Sequence, residues 1–293
     1  MDISVGIMAH NEEGNLERLL TSLLTQKTKK ISIKKIMVVI SGEDRSASII
    51  RNFSMKDRRI SKIIEPAPRA GKYRAINLFL ATSKSNINVL LSADIFLAPD
   101  ALEELCAPLI EGKIGMVGGH PIPVNRGAGL LNFAVRLQWK LHHLLSLKEV
   151  KCGEIIAFKK CFPSIPPTSV DEECIAAIIR ENGLDSVYAA HAIAYNRGPA
   201  TIEEYIKQRR RIFAGHKFLE KKLLYVSPSL KWKLVVRSLI EAADFKHIHL
   251  LIAAVLLEAY ARMLGQFDAL TKQEAYVWEP AASTKNLFKI GEK

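Results

Sequence analysis

The chain has 293 residues, 48% of them apolar, with 42 Lys or Arg against 30 Asp or Glu and a formal net charge of +12. This length and composition exclude a disordered or fibrous chain and fit one large globular domain, or two smaller ones, with a sizeable core. The basic excess points to anionic partners (nucleic acid, anionic lipid or phosphorylated substrate) without choosing among them.

The opening "MDISVGIMAHNEE" has neither a basic leader nor a long apolar stretch, so no signal peptide and a cytoplasmic location are expected. "ISVGIMA" reads as a buried strand. From Asn11 a helical pattern places Leu16, Leu19, Leu20, Leu23 and Leu24 on one face. "KKIMVVIS" is a second strand closed by Gly42, "RISKIIEP" a third, 73–81 a helix and "NVLLSAD" a fourth strand. Strands alternating with helices predict an α/β domain with a mostly parallel sheet flanked by helices. Ligands of such sheets sit outside the carboxyl ends of the strands. Glu12, Glu43, Asp44 and Asp94 all fall just past predicted strand ends.

In the second half "GMVGGHPIPVN" reads as a strand and loop, 130–147 as an amphipathic helix with Trp139 and a His142-His143 pair, and "GEIIAFKKCF" as a strand. "TSVDEECIAAIIRENG" is a helix with an expected capping box, Ser169 with Glu172, and Gly183 as its stop. "TIEEYIKQRRRIFAGHKFLEKK" repeats the pattern with Thr201 and Glu204. Residues 229–264 read as helical and largely apolar, and about the last thirty as an irregular tail.

Several chemistries lack their signatures. The four cysteines, Cys106, Cys152, Cys161 and Cys174, form no C-x-x-C pair, so neither a zinc site nor a disulfide framework is expected. The histidines show no H-E-x-x-H spacing, and no G-x-S-x-G is present. "RAGKYRAIN" is not a P-loop, because no Gly stands five residues before Lys72 and Tyr73 replaces the Ser or Thr. Arg69 and Lys72 near a helix start could instead meet a diphosphate, against the plainer reading of a solvated helix start. The acids of "VDEE" complement a helix dipole, or else supply a general base. Lys207 to Lys222 carries seven Lys or Arg and one acid, a self-repelling face unless an anion lies nearby. In that helix Gln208, Arg211 and Ile212 share a face, while Arg209 and Arg210 splay to the sides. The segment has no aromatic stacking platform, which argues against nucleic acid.

Taken in order, these stretches resemble the family-two glycosyltransferases, inverting enzymes with a nucleotide-binding α/β domain of the GT-A type. The resemblance covers roughly 3–218. "MAHNEEGNLERLL" is similar to the family's first strand and helix, "VVISGEDRS" to its second strand and turn, and "RAGKYRAIN" to its Gly-Lys segment. "SADI" stands at the D-x-D position, "VDEE" at the acidic base position, and "QRRRI" at Q-x-x-R-W. Gly183 lies eleven residues past Glu172, which aligns Glu172 with the base and makes Asp171 its neighbour. The resemblance implies donor contacts from Asn11, Glu12, Asp44, Arg69, Lys72, Asp94, Gln208, Arg209 and Arg211. It also implies Mg2+ or Mn2+ at Asp94. Three positions depart from the pattern: Ser92 for the first Asp of D-x-D, Glu172 for the usual Asp base, and Ile212 for the Trp.

The expected function is transfer of a sugar, of the hexosyltransferase class, from a nucleotide sugar to a hydroxyl or phosphate of a glycan or lipid-linked acceptor. A non-catalytic sugar-nucleotide-binding relative is the alternative, with a basic nucleic-acid-binding protein behind it. The expected domains are 1–228, a GT-A glycosyltransferase domain, and 229–293, a helical membrane-associating extension and tail. Residues 250–257 form an unbroken apolar run of eight within a helical segment, 248–264, that also holds His249, Glu258 and Arg262. That segment is shorter than the ~20 apolar residues of a span. "LKWKLVVRSLIEAA" mixes basic residues with Trp and Leu, as helices in the headgroup layer do. Peripheral attachment to anionic lipid on the cytosolic membrane face is expected, with both helices simply packing on the core as the competing reading.

Overall fold

The structure is a computed structural model and describes residues 1–279 and 281–285. Eight strands form one sheet in the order β3-β2-β1-β4-β7-β6-β8-β5: β1 (Asp2–His10), β2 (Ser32–Ser41), β3 (Ile60–Ile64), β4 (Ile87–Ser92), β5 (Ile95–Leu97), β6 (Ile114–Pro123), β7 (Ile155–Lys159) and β8 (Asp185–Asn196). Four of the seven pairings are parallel; β7 runs against β4 and β6, and β5 against β8. Nine α-helices accompany the sheet among the described residues: α1 (Glu13–Leu24), α2 (Ser46–Lys56), α3 (Lys72–Thr82), α4 (Ala101–Cys106), α5 (Leu130–Ser146), α6 (Asp171–Glu181), α7 (Ile202–Leu223), α8 (Trp232–Ala242) and α9 (Ile248–Thr271).

Strand periodicity sorts the core into two layers. Ile36, Val38, Val89, Leu91 and Ile155 point to one face, with Leu16, Leu19 and Leu20 of α1 and Leu102 and Leu105 of α4. Met37, Val39, Leu90, Ile156 and Phe158 point to the other, with Ile76 and Phe79 of α3 and Ile175 and Ile179 of α6. Both faces are covered, which is why the central strands read as continuous apolar runs. A third apolar layer joins α5, α7, α8 and α9 through Val135, Leu137, Tyr205, Ala242, Leu251 and Ala254.

Three local expectations change. Strand β8 is not among the predicted elements; most of its residues are only half-buried, and it pairs with β6 and β5. The expected Ser169–Glu172 capping box does not form. Val170 caps α6 without a side-chain hydrogen bond, the Ser169 hydroxyl donates to Glu274 at 2.9 Å, and Glu172 turns to Lys72. The Thr201 cap of α7 does form, accepting from the Glu204 N–H at 3.1 Å. Helix α9 runs past Leu264 to Thr271. With the preceding turn, the helical stretch Phe245–Thr271 is 27 residues long, has mean hydropathy 1.6 over its most apolar window, and by length and composition could cross a membrane.

Candidate functional site

Because β1, β2 and β4 run in one direction, their carboxyl ends share an edge. Residues just beyond them, among them Glu12, Asp44 and Asp94, gather there from distant parts of the chain. Strand β7 is antiparallel to β4, so its beginning reaches the same edge: the Ser92 N–H donates to the Glu154 carbonyl at 3.1 Å. Glu154 thereby joins Glu12 and Asp94 on the wall of a cavity of about 1170 Å³. Burial, reinforced by the Glu12 charge, pushes Asp94 up to about 6. Burial and the Asp94 charge push Glu154 up to about 7. Burial also raises Glu12, against the pull of Lys285. Carboxylates crowded in this way favour a cation among them.

Cationic groups face this edge. Arg69 and Lys72 come from the turn into α3, where Gly71 has φ +116° and a Cβ would lie 2.4 Å from the Tyr276 carbonyl oxygen, so glycine is required. The Lys72 ammonium pairs with Glu172 at the start of α6. Burial opposes the Lys72 charge, and Glu172, Asp171 and Glu154 outweigh it. Burial would raise Glu172 too, but Lys72 holds it below the usual carboxylate range. Asp171 is 1% exposed. Its Oδ1 has no hydrogen-bond partner among the described residues. Burial, helped by the Glu172 charge, pushes it up to about 7.

The arginines of α7 separate. Arg211 faces the cavity, donates to the Ser169 carbonyl at 2.8 Å and lies 4.1 Å from the centroid of the Trp278 ring. Burial lowers it to about 10. Arg209, expected beside the donor diphosphate, instead grips both oxygens of Glu258 on α9, each at 2.9 Å. Arg209 and Arg211 leave the helix about 200° apart, and both line the cavity. Arg262 at 2.7 Å and the Tyr205 hydroxyl at 3.2 Å complete the Glu258 cluster. Burial would raise Glu258; Arg209 and Arg262 instead bring it to about 2.

Of the other expected residues, Gln208 lines the cavity beside Ile212. Asn11 and Asp44 stand outside its lining. Asn11 has φ 51° and accepts from the Glu43 N–H at 3.2 Å. Asp44 accepts from the N–H groups of Glu13 at 2.8 Å and Ser46 at 3.0 Å, tying together the starts of α1 and α2.

The expected irregular tail returns to the site. Glu274 accepts from the N–H and hydroxyl of Ser169 at 2.8 and 2.9 Å and from Lys222 at 2.8 Å. Arg69 donates to the Trp278 carbonyl at 2.9 Å, and Asn15 to the Thr284 carbonyl at 3.0 Å. Lys285 reaches the His10 carbonyl at 2.6 Å and also pairs with Glu12. Trp278 thus brings an aromatic surface to the side of α7 where Ile212 stands in the Q-x-x-R-W position. The reading of the sequence missed Glu154, Trp278 and Lys285. A carboxylate at the start of a strand was a visible signal only for Glu154, and only if the strand direction were known.

The site is thus an acid-lined strand edge with cations and a helix-borne carboxylate on the same cavity wall. The chain belongs to the glycosyl transferase family 2, whose model matches residues 4–181. It is 24% identical over 250 residues to the probable glycosyltransferase YdaM of Bacillus subtilis, covering 80% of this chain and 60% of that protein. It is 28% identical over 133 residues to glycosyltransferase GlyA of Streptococcus pneumoniae, covering 45% of this chain and 18% of that protein. The chain therefore spans less than two thirds of the length of either relative. Among solved structures it is similar to the mannosyltransferase PcManGT of Pyrobaculum calidifontis in complex with GDP-Man and Mn2+. The TM-score is 0.62 and the identity 18%, over 92% of this chain and 87% of that one. Glucosyl-3-phosphoglycerate synthase of Mycobacterium tuberculosis, in complex with Mn2+, UDP and phosphoglyceric acid, has a TM-score of 0.53 and 20% identity over 74% of this chain and 77% of that one. These likenesses show the GT-A fold.

Proposed function

We propose that this chain is an inverting glycosyltransferase that moves a sugar from a nucleoside-diphosphate sugar to an acceptor oxygen. The observation that carries the reading is the gathering, on the wall of one cavity, of Glu12, Asp94, Glu154 and Glu172 with Arg69, Lys72 and Arg211. No three His, Cys, Asp or Glu side chains among the described residues form a ready metal site. The all-oxygen set of Asp94 and Glu154 nevertheless suits Mg2+ or Mn2+, which commonly bind through one or two carboxylates plus substrate phosphates. Such an ion would supply charge stabilisation to the departing diphosphate.

The remaining roles fall to the chain's own residues. Asp171 and Glu172 both line the cavity, but Asp171 is 1% exposed whereas the Glu172 side chain is 19% exposed, which favours Glu172 as the group that meets an acceptor. Glu172 takes the acceptor proton. Lys72, now paired with Glu172, can move to the donor diphosphate. That shift relieves the depression of Glu172 and makes it a better base when donor is present. Arg211 supports the leaving group from the α7 side. Nucleotide-sugar hydrolysis or transfer with Mn2+ tests the reading. Binding of nucleotide sugars with no turnover under any acceptor would favour the non-catalytic alternative, for which Ser92 and Ile212 speak.

The finer placement is also a proposal. Residues 1–228 form the chemical domain, and 229–293, of which 280 and 286–293 lie outside the described residues, an extension that brings it to the cytosolic membrane face and a glycan or lipid-linked acceptor. The outward faces of α8 and α9 support it: Trp232, Val236 and Ile240 on one, and Ile252, Leu256, Tyr260, Met263 and Phe267 on the other, are exposed at helical spacing. On α9 the opposite side is tied to α7 through Glu258 and Asp268, which pair with Arg209 and Arg210. A helix so docked lies along the membrane surface more readily than across it. Lys231, Lys233 and Arg237 add attraction to anionic lipid. Sedimentation with anionic vesicles at low salt, and release at high salt, tests it; no sedimentation at low salt refutes it.

A further inference from the structure

The cavity does not end at the transfer site. Besides Glu172 and Gln208, it is lined by apolar side chains of α5, α8 and α9: Leu137, Leu141, Leu145, Val235, Leu239 and Val255. Its volume of about 1170 Å³ lies at the upper end of small-molecule sites, which leaves room beside a single donor.

At the junction of the polar and apolar parts stands His142, 5% exposed, with neither ring nitrogen hydrogen-bonded among the described residues. Its Nε2 would lie 3.1 Å from a Cβ placed on Gly153, the residue before Glu154, and its ring is 5.3 Å from that of Trp139. Burial keeps the imidazole neutral, with the Lys151 charge acting the same way. A neutral imidazole retains one N–H to donate and one nitrogen to accept. A buried polar side chain without a partner beside an open cavity is a site awaiting a ligand group.

The apolar part also has an outlet. Val236 lines the cavity and is at the same time 46% exposed, in line with Trp232 and Ile240 on the outer face of α8. The interior apolar wall is therefore continuous with the exposed apolar face assigned above to the membrane.

We propose that this arm holds the hydrocarbon chain of an amphiphilic acceptor. The acceptor's polar head sits between His142, Lys151 and Glu172, and its chain leaves past Val236 toward the lipid surface. The inference rests on the transferase reading of the same cavity and names its acceptor class: a single-chain lipid ending in a hydroxyl or a phosphate. In the transfer, the head-group oxygen forms a bond to the anomeric carbon. The bond from that carbon to the donor diphosphate breaks, and the electron pair leaves with the nucleoside diphosphate. A hydroxyl gives its proton to Glu172; an ionised phosphate oxygen has none to give.

The test is an equilibrium titration of the full chain with n-alkyl phosphates from butyl to decyl, below their micelle concentrations, by calorimetry. Each methylene that enters the arm should tighten binding about fourfold, the ratio equivalent to about 0.8 kcal/mol per buried CH2. A flat series overturns the proposal, as does displacement of decyl phosphate by equal concentrations of inorganic phosphate, which would mark a head-group site alone. Leu239→Gln should flatten the chain-length series, whereas Ile252→Ser on the outer face of α9 should leave it steep. The reverse pattern would put the chain on the outer surface and also overturn the proposal. Should Leu239→Gln not fold, the wild-type series and Leu141→Gln decide. His142→Ala should weaken every member of the series by a similar factor without changing its steepness; a merely structural role would lower the melting temperature and leave the affinities of folded protein unchanged. Titration with Mn2+ and UDP or GDP separates the two readings. Failure there removes the transferase reading, while the alkyl series stands or falls on its own.

Discussion

The two ends of the cavity are made from opposite materials. At the strand edge, the carboxylates of Glu12, Asp94, Glu154, Asp171 and Glu172 crowd together with Lys72, Lys285, Arg69 and Arg211, and their charges set one another: Asp94 rises to about 6 and Glu154 to about 7, while Glu172 falls. Between α5, α8 and α9, aliphatic side chains line the wall and the notable polar group is His142, whose ring nitrogens have no hydrogen-bond partner among the described residues. The difference teaches that charge placement and apolar volume are separate determinants. The first governs how a leaving group is held, and the second what kind of molecule can receive the sugar.

The sharpest way to break this comparison is at its junction. Glu172→Gln removes the proton acceptor but keeps the size, so transfer to a hydroxyl acceptor should fall by about 10²–10⁴ while donor binding persists. Measured transfer and nucleotide titration check this; loss in Asp171→Asn but not in Glu172→Gln would move the base by one residue. Next comes Asp94→Ala, which should lower turnover by about 10²–10³ and weaken Mn2+ uptake seen by thermal shift. Full activity in excess chelator with an unimpaired variant would remove the metal from the site.

Arg209→Ala tests the claim that this arginine serves the helical half. It should cost about 2–3 kcal/mol in denaturant unfolding, because Glu258 keeps Arg262 but loses its bidentate partner. Nucleotide affinity should change little; a large loss would return Arg209 to the donor. On the outer face, Trp232→Ser with Ile240→Ser should weaken vesicle binding about tenfold, a fraction of what two fully buried side chains contribute.

The smallest effect is on pH. Asp94, Glu154 and Asp171 have folded-state values raised above ordinary ones near 3.8 to 4.5, to about 6, 7 and 7. The folded chain then binds more protons than the unfolded one in between. Their contribution is present in full below about pH 4 and is lost as pH rises towards 7. Buried His142 and His216, whose values are lowered, push stability the other way over the same range, so the carboxylate share is read by difference: Asp94→Asn should raise the melting temperature of ligand-free protein more at pH 7.5 than at pH 5, and Mn2+ plus nucleotide should do likewise. A melting temperature that rises over this range in wild type but not in Asp94→Asn would contradict the sign.

Much of the donor half was legible beforehand. Apolar runs set the central strands, the turn residues after them set the edge, and the Gly-Lys and Q-x-x-R stretches marked two of the facing helices. Legibility ended where strand direction mattered. Glu154 precedes a strand whose sequence reads alike in either direction, and only the pairing of Leu91 with Ile155 brings that carboxylate beside Ser92. It ended again where one side chain had competing partners. Ser169 and Glu172 have capping-box spacing, yet Glu274 and Lys72 compete for them and win.

What the sequence determined by itself is local: alternation and helical periodicity, and the different directions in which Arg209 and Arg211 leave one helix. Periodicity and backbone sterics act within a few residues, so they can be read from a window. The tertiary structure alone decided which arginine met a carboxylate, that Lys285 and Trp278 return to the strand edge from the far end of the chain, and that three helices leave an apolar arm between them. Those outcomes depend on burial and on competition among partners far apart in sequence, from Arg209 and Glu258, 49 positions apart, to Glu12 and Lys285, separated by 273, and no local pattern records them.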